Sequence, residues 1–272
     1  MIVSTMKKFL LPCLLCLSQN LFADDTFWEL GAGATALNLP LYPGSKQDAN
    51  FVIPFPFVRI QTKHFEVDDG VRGFFYESPN LRLNVSGDLG VPVNSEDSDV
   101  RAGMPNLDTV LQFGPSLEII FAGGRRQPSE LRLELPLRTA IATDLKHAQN
   151  IGWIVEPRLT YETLRPQKTG FAYQLSTGLR YATDDYHAYY YDVPQAFATA
   201  QRPAYTAGSG YSGYFIDLVG NWRAKNTVYF AFLRYQNLSG TVYEDSPLVE
   251  DTGYYAVGVG MAWIISSSLD RK

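Results

Sequence analysis

Three histidines, His64, His147 and His187, are the first residues to test for chemistry. A serine hydrolase needs a histidine base oriented by a carboxylate and placed beside the nucleophile. Asp144 precedes His147 by three residues, and Asp184 and Asp185 precede His187 closely. No serine stands at an obvious spacing from either, so the expectation is loop histidines and no enzyme. Acidic residues gather at Asp184, Asp185 and Asp192 and again at Glu244, Asp245, Glu250 and Asp251. Calcium takes such oxygens, but the fixed spacing of a calcium loop is missing, so no metal and no cofactor are expected. Gly123, Gly124, Arg125 and Arg126 lack the Lys-Ser/Thr ending of a phosphate loop and read as a turn.

The tyrosines Tyr186, Tyr189, Tyr190 and Tyr191 form the most distinctive loop feature. Tyrosine offers large contact area at low entropic cost, which suits a contact surface for protein or glycan. The same rings would also suit packing over a barrel mouth or a place in an interfacial belt. Both readings stay open at this level.

The elements that hold these loops follow from periodicity. Residues 1–23 carry Lys7 and Lys8, an apolar stretch from Phe9 to Leu17, and Ala23 before Asp24, the pattern of a cleaved signal peptide. The apolar run is shorter than the roughly 20 residues a spanning helix needs. Cys13 and Cys16 lie inside it, so a product of residues 24–272 has no thiol and no disulfide. That product has 21 basic against 28 acidic residues and no basic patch, which argues against nucleic acid as a partner. Aromatic residues make up 14% of the chain and charged ones only 19%, a balance that fits an all-β sandwich or a membrane barrel.

From about residue 80 the chain alternates apolar and polar residues, the period of a strand. In 129–143, Leu131, Leu133, Leu135 and Leu137 oppose Arg132, Glu134 and Arg138. The same alternation predicts strands at 81–91, 108–122, 151–163, 171–183, 211–223, 227–238 and 253–265. The 227–238 strand is irregular, because Phe230 and Phe232 share parity with Arg234. Weaker signals place strands at 27–37 and 51–62, and a short hairpin or irregular turn within 64–78. Residues 266–272 read as a polar tail, and no helix of useful length is evident.

Predicted connections alternate between long and short, as they do in barrels with long external loops and short periplasmic turns. Aromatic residues stand near strand ends on the apolar faces, among them Tyr161, Tyr181, Trp222, Tyr255 and Trp263. The opposite faces carry Arg82, Arg132, Arg138, Arg158, Arg180 and Arg234 against Asp88, Glu118, Glu134, Glu156, Glu162 and Asp217. Six against six is the balance of a lumen closed by its own ion pairs. The expectation is therefore an all-β, transmembrane antiparallel up-and-down β-barrel. Twelve strands are favoured, or ten if 64–78 forms no spanning hairpin. Membrane lipid is the implied surrounding.

Several stretches carry a family resemblance: WELGAG at Trp28–Gly33, YPGS at Tyr42–Ser45, PFPFV at Pro54–Val58, DDYHAYYYDV at Asp184–Val193 and DSPLV at Asp245–Val249. In order and spacing the chain resembles the MltA-interacting protein family, also called the MipA/OmpV family of outer-membrane proteins. The resemblance implies a cell outer membrane location and a non-catalytic role. The implied role is a scaffold joining a lytic transglycosylase to a murein synthase; the alternatives are a narrow small-solute channel or a surface adhesin. The polar tail departs from the aromatic ending common in such barrels.

Overall fold

The computed structural model describes residues 26–62, 65–67, 71–125 and 127–271. The expected signal peptide, His64 and Arg126 lie outside them. The first half of the chain forms β1 (Phe27–Pro40), β2 (Asp48–Gln61), β3 (Phe65–Val67), β4 (Val71–Glu77), β5 (Leu81–Gly90), β6 (Thr109–Gly123) and β7 (Ser129–Thr143). There follow β8 (Ala148–Val155), β9 (Arg158–Thr163), β10 (Gly170–Ala182), helix α1 (Asp184–Tyr191), β11 (Gly210–Ala224), β12 (Thr227–Asn237) and β13 (Gly253–Ser267).

Except for β8 and β9, consecutive strands pair antiparallel, and β13 returns to pair with β1. Pairing around the ring satisfies backbone donors and acceptors wherever two strands meet, which is what permits a sheet to stand in hydrocarbon. The thirteen segments make twelve staves, because β8 and β9 lie end to end and each pairs with both β7 and β10. Twelve strands go round the ring, the favoured number, but the two from 64–78 form a short hairpin, β3–β4, that pairs with only one end of β2 and β5.

Three expectations need correction. The strand expected across 151–163 is interrupted at Glu156 and Pro157, because proline has no N–H to give the ladder. The last strand runs two residues beyond 265, with Ser266 and Ser267 paired to Leu30 and Glu29, so the tail is partly wall. A helix does exist, α1, an eight-residue segment between β10 and β11.

Along each stave one parity faces out and the other in. On β7 Glu130, Arg132 and Arg138 are buried while Leu137 is exposed. Outward rings collect in two belts. Near the short turns stand Phe171, Tyr173, Trp222, Tyr229 and Trp263, with Trp222 and Tyr229 stacked at 5.2 Å. Near the long loops stand Tyr181, Tyr214, Tyr235 and Tyr255, with Tyr235 and Tyr255 at 5.0 Å. Between the belts the outer face is aliphatic: Leu175, Leu218, Leu233, Val257 and Met261 are all exposed. From Trp222 to Tyr214 is roughly 27 Å along a strand, or about 20 Å across the wall at a 40° tilt. That is close to the apolar band of a membrane barrel.

Candidate functional site: a charged lumen beneath a tyrosine cap

The inward parity brings the twelve charges expected from the sequence into one interior, in three groups. In the first, Arg82 Nε lies 2.7 Å from Glu118 and the same guanidinium pairs with Glu130. Arg132 joins Glu130 at 3.1 Å, Glu134 at 3.0 Å and Glu162 at 2.8 Å. The second group centres on Glu156, 1% exposed, which accepts from Arg180 Nε at 2.6 Å, pairs with Arg158, and has Arg138 at 3.8 Å. Arg138 also reaches within 4.0 Å of Asp88. In the third, Asp217 and Arg234 form a two-pronged pair at 2.6 and 2.8 Å. Phe215 lies beneath both Arg158 and Arg234, each guanidinium 5.1 Å from its ring centre.

Pro157 shapes the second group. It ends β8, its carbonyl accepts from Leu179 N, and the break sets Glu156 inward at the meeting point of three arginines. Ions out of water are tolerated only when paired and hydrogen-bonded, and here each carboxylate has a guanidinium partner.

Further interior charges escape the sequence reading. Glu29, fully buried, is held by Arg223 at 2.6 Å with Arg59 at 3.8 Å, joining β1, β2 and β11. Glu130 lies between Arg82 and Arg132. Parity could have found Glu130 and Arg223, which fall in step with Arg132 and Asp217.

The irregularity of β12 also has a cause. Phe230 and Phe232 point inward, and the facing residues of β13 are Gly260 and Gly258. A Cβ on Gly258 would come within 2.3 Å of the Phe232 ring, and one on Gly260 within 2.3 Å of Phe230. Phe55 packs edge-on against Phe230 at 5.8 Å. One side of the lumen is therefore aromatic and the other carries the paired arginines and glutamates. Between them lies a cavity of about 450 Å³, whose lining includes Phe55, Phe57, Phe232, Arg132, Arg138 and Arg158.

The long loops fold together over one mouth. Tyr186 and Tyr191 are 5% and 2% exposed, and Tyr189 and Tyr190 pack against the same buried residues, so the four rings turn inward. Tyr191 joins Tyr42, Val93, Leu107, Leu238 and Tyr243 in a core drawn from four loops. Polar anchors fix it: Tyr42 Oη donates to the Leu248 carbonyl at 2.8 Å, Tyr191 Oη to that of Pro43 at 3.1 Å, and Asp108 N to Tyr189 Oη at 2.6 Å. Burial pushes the Tyr42 phenol up to about 12, and pushes those of Tyr189, Tyr190 and Tyr191 upward as well. Arg202 ties two loops together by donating to the carbonyls of Val100 and Ala102.

Of the two described histidines, one is built into the cap and the other stands in solvent. His187 is fully buried in the cap, and its Nδ1 lies 2.7 Å from the Gly208 carbonyl. A carbonyl only accepts, so Nδ1 carries the proton. Burial lowers the pKa of the ring. His147 stands in solvent beside Asp144. Several of the acids weighed as calcium ligands instead accept from loop amides: Asp192 from Ala207 N, Glu244 from Gly240 N and Asp251 from Gly253 N. Among the described residues no group of three potential metal ligands comes together. Arg125 pairs with Glu77 at 3.1 Å and sits over the Phe74 ring, at a turn.

The comparisons with known proteins bear on this arrangement. The outer membrane protein Omp26La of Vibrio anguillarum is 35% identical over 89 residues, covering 32% of this chain and 33% of that protein. The chain thus matches about a third of that relative's length. Among solved structures, the NanC porin aligns with a TM-score of 0.38 at 7% identity, over 88% of this chain and 98% of the porin. Outer-membrane expressed OmpT of Vibrio cholerae aligns at 0.32 and 9% identity, over 90% and 99%. The family model described as MltA-interacting protein MipA matches residues 30–265. The protein is an outer-membrane β-barrel, and it belongs to the MltA-interacting protein MipA family.

Proposed function

We propose that this protein is a non-enzymatic, non-conducting barrel that serves as a membrane-anchored docking platform for murein enzymes. The observation that carries the reading is the capped, charge-filled interior. A loop core with its own buried tyrosines covers one mouth, and the stave-to-stave ion pairs crowd the lumen below it. An open diffusion channel needs neither.

The partner class follows from the family's name, which gives interaction with a lytic transglycosylase; a murein synthase would be the second partner of a scaffold. By the rule that outer-membrane barrels place short turns in the periplasm, the contact would fall on the turns at 124–128, 164–169 and 225–226. The same reading takes residues 1–23 as a signal removed on export, giving a mature chain that starts at Asp24.

Crosslinking in intact envelopes from those turns tests the platform: capture of lytic or synthetic murein enzymes supports it. Planar-bilayer recording tests the closure. Stable, resolved currents from the purified protein would replace this reading with a narrow channel, for which the remaining 450 Å³ cavity is the favouring observation.

A further inference from the structure

The wall is incomplete between β2 and β5. The hairpin β3–β4 turns back early, since Val67 already pairs with Val71. It meets β2 only at Ile60 and Gln61, and meets β5 only from Arg82 to Val85. Among the described residues, positions 48–59 of β2 and 86–90 of β5 therefore have no strand partner on the facing side. At the hairpin the two staves stand three strand spacings apart, roughly 14 Å. The notch occupies the half of the wall nearer the long loops. Exposure agrees: inward-facing Asp88 has 39% of its side chain exposed, against 2% for Arg82 lower on the same strand.

Two features show what the notch can admit. Pro54 and Pro56 lie on its β2 edge, and β2 keeps an unbroken ladder to β1 through both. A continuous ladder requires their nitrogens, which carry no hydrogen, to point away from β1 and into the notch. An incoming β-strand would find donors missing at two alternate positions, so strand addition is disfavoured. The upper end of the 450 Å³ cavity borders the notch, since Phe55 of β2 and Ser86 and Gly87 of β5 line both, and its size is within the range of small-molecule sites. On the β2 side the cavity wall is Phe55 and Phe57, continued by Phe230 and Phe232. On the β5 side it is Ser86, to which Arg138 Nε donates at 3.0 Å.

Arg138 is 5% exposed, and its Nη1 is buried without a hydrogen-bond acceptor, the nearest carboxylates standing at 3.8 and 4.0 Å. Arg158 Nε, on the same cavity, is likewise without one. Each guanidinium thus keeps one N–H that no protein acceptor takes up, and a charge-assisted bond to an anion would engage it.

We propose that the lumen is a binding site for a single acyl chain with an anionic head, which enters from the membrane through the notch between β2 and β5. The chain lies along Phe55, Phe57, Phe230 and Phe232, and the head accepts from Arg138 and Arg158. A fatty-acid carboxylate and a lysophospholipid phosphate share this chemistry.

The test uses the purified mature protein in detergent, titrated with cis-parinaric acid, a fluorescent single-chain carboxylate. One saturable site is expected, with the uncharged methyl ester of the same chain bound at least about tenfold more weakly, as loss of a charge-assisted bond predicts. The variant Arg138→Gln should weaken the acid by about the same factor and leave the ester unchanged. Heat-modifiable migration on gels confirms that the variant is folded, and the acid-to-ester ratio on the unaltered protein does not depend on it. Displacement by lysophosphatidylglycerol at lower concentration than by palmitate assigns the phosphate source, and the reverse order the carboxylate source. Equal binding of acid and ester, or an Arg138→Gln affinity equal to that of the parent, overturns the proposal. So does a photocrosslinker at Val52 that captures a polypeptide rather than lipid in intact cells.

Discussion

The rings of Tyr191 and Tyr243 are stacked, their planes 9° apart and their centres 3.8 Å apart. They belong to two different connections, α1 before β11 and the loop before β13, and Tyr243 Oη also donates to the Ser212 carbonyl at 3.1 Å. Both rings are almost fully buried, at 2% and 1%. The pair is therefore a bolt between loops that no ladder joins. Truncation by Tyr243→Ala should cost about 3–5 kcal/mol, the usual penalty for removing a buried aromatic ring. The loss falls on the cap, because the barrel ladders do not pass through it. Limited proteolysis in liposomes should cut residues 192–209 far faster in the variant while the barrel fragment persists. Equal cutting in both proteins would show that the stack holds nothing.

Glu156 gives a second prediction. Its carboxylate serves Arg180 and Arg158 directly and has Arg138 nearby. In Glu156→Gln the arginines keep their charge and lose its counterion. Breaking a buried pair from one side costs about 3–5 kcal/mol, because a charge remains uncompensated. Urea unfolding from lipid vesicles should show that loss. Adding Arg180→Gln should recover part of it, since the double variant removes one stranded charge. A double variant weaker than the sum of the single ones would contradict this account.

Much of this interior was legible from parity alone. A period of two on β5, β6, β7 and β10 puts every arginine and glutamate on the face away from leucine, and the lumen charges follow. Proline and tertiary contacts obscured the rest. Pro157 splits a stave whose apolar and polar residues keep their alternation through the break, so the pattern itself gives no warning. Helix α1 is shorter than any helix stable by itself, and packing of Tyr186, His187 and Tyr191 holds it in place. No periodicity in eight residues announces that. The notch between β2 and β5 depends on where a hairpin stops, a matter of length rather than pattern. Pro54 and Pro56 are the local sign of an edge there.

Protonation of His187 should weaken the cap. Burial lowers its pKa below the usual 6.5, so the folded ring stays neutral where the unfolded one would bind a proton. Below pH 6.5 the unfolded chain therefore holds more protons than the folded one, and stability falls as pH drops from 6.5 toward the folded pKa. Above 6.5 both states are neutral and this dependence vanishes. Proteolysis of residues 192–209 should accelerate across that window, and His187→Gln should flatten the response. A parent protein whose cutting rate is level between pH 7 and about 5, the range in which an ordinary histidine titrates, would contradict it.

The last prediction concerns the small residues opposite β12. Gly258 and Gly260 leave the space into which Phe232 and Phe230 turn, and a Cβ at either would stand 2.3 Å from a ring. At Gly258 the Leu37 side chain is also only 2.6 Å from that point, so the ring has little room to retreat. Gly258→Leu adds volume where none is free and should cost about 1–3 kcal/mol by overpacking. Pairing it with Phe232→Ala opens the space again, so the double variant should regain part of the loss. Urea midpoints in vesicles read both effects. If Gly258→Leu were neutral, the inward turn of Phe232 would be wrong, and with it the aromatic side of the lumen.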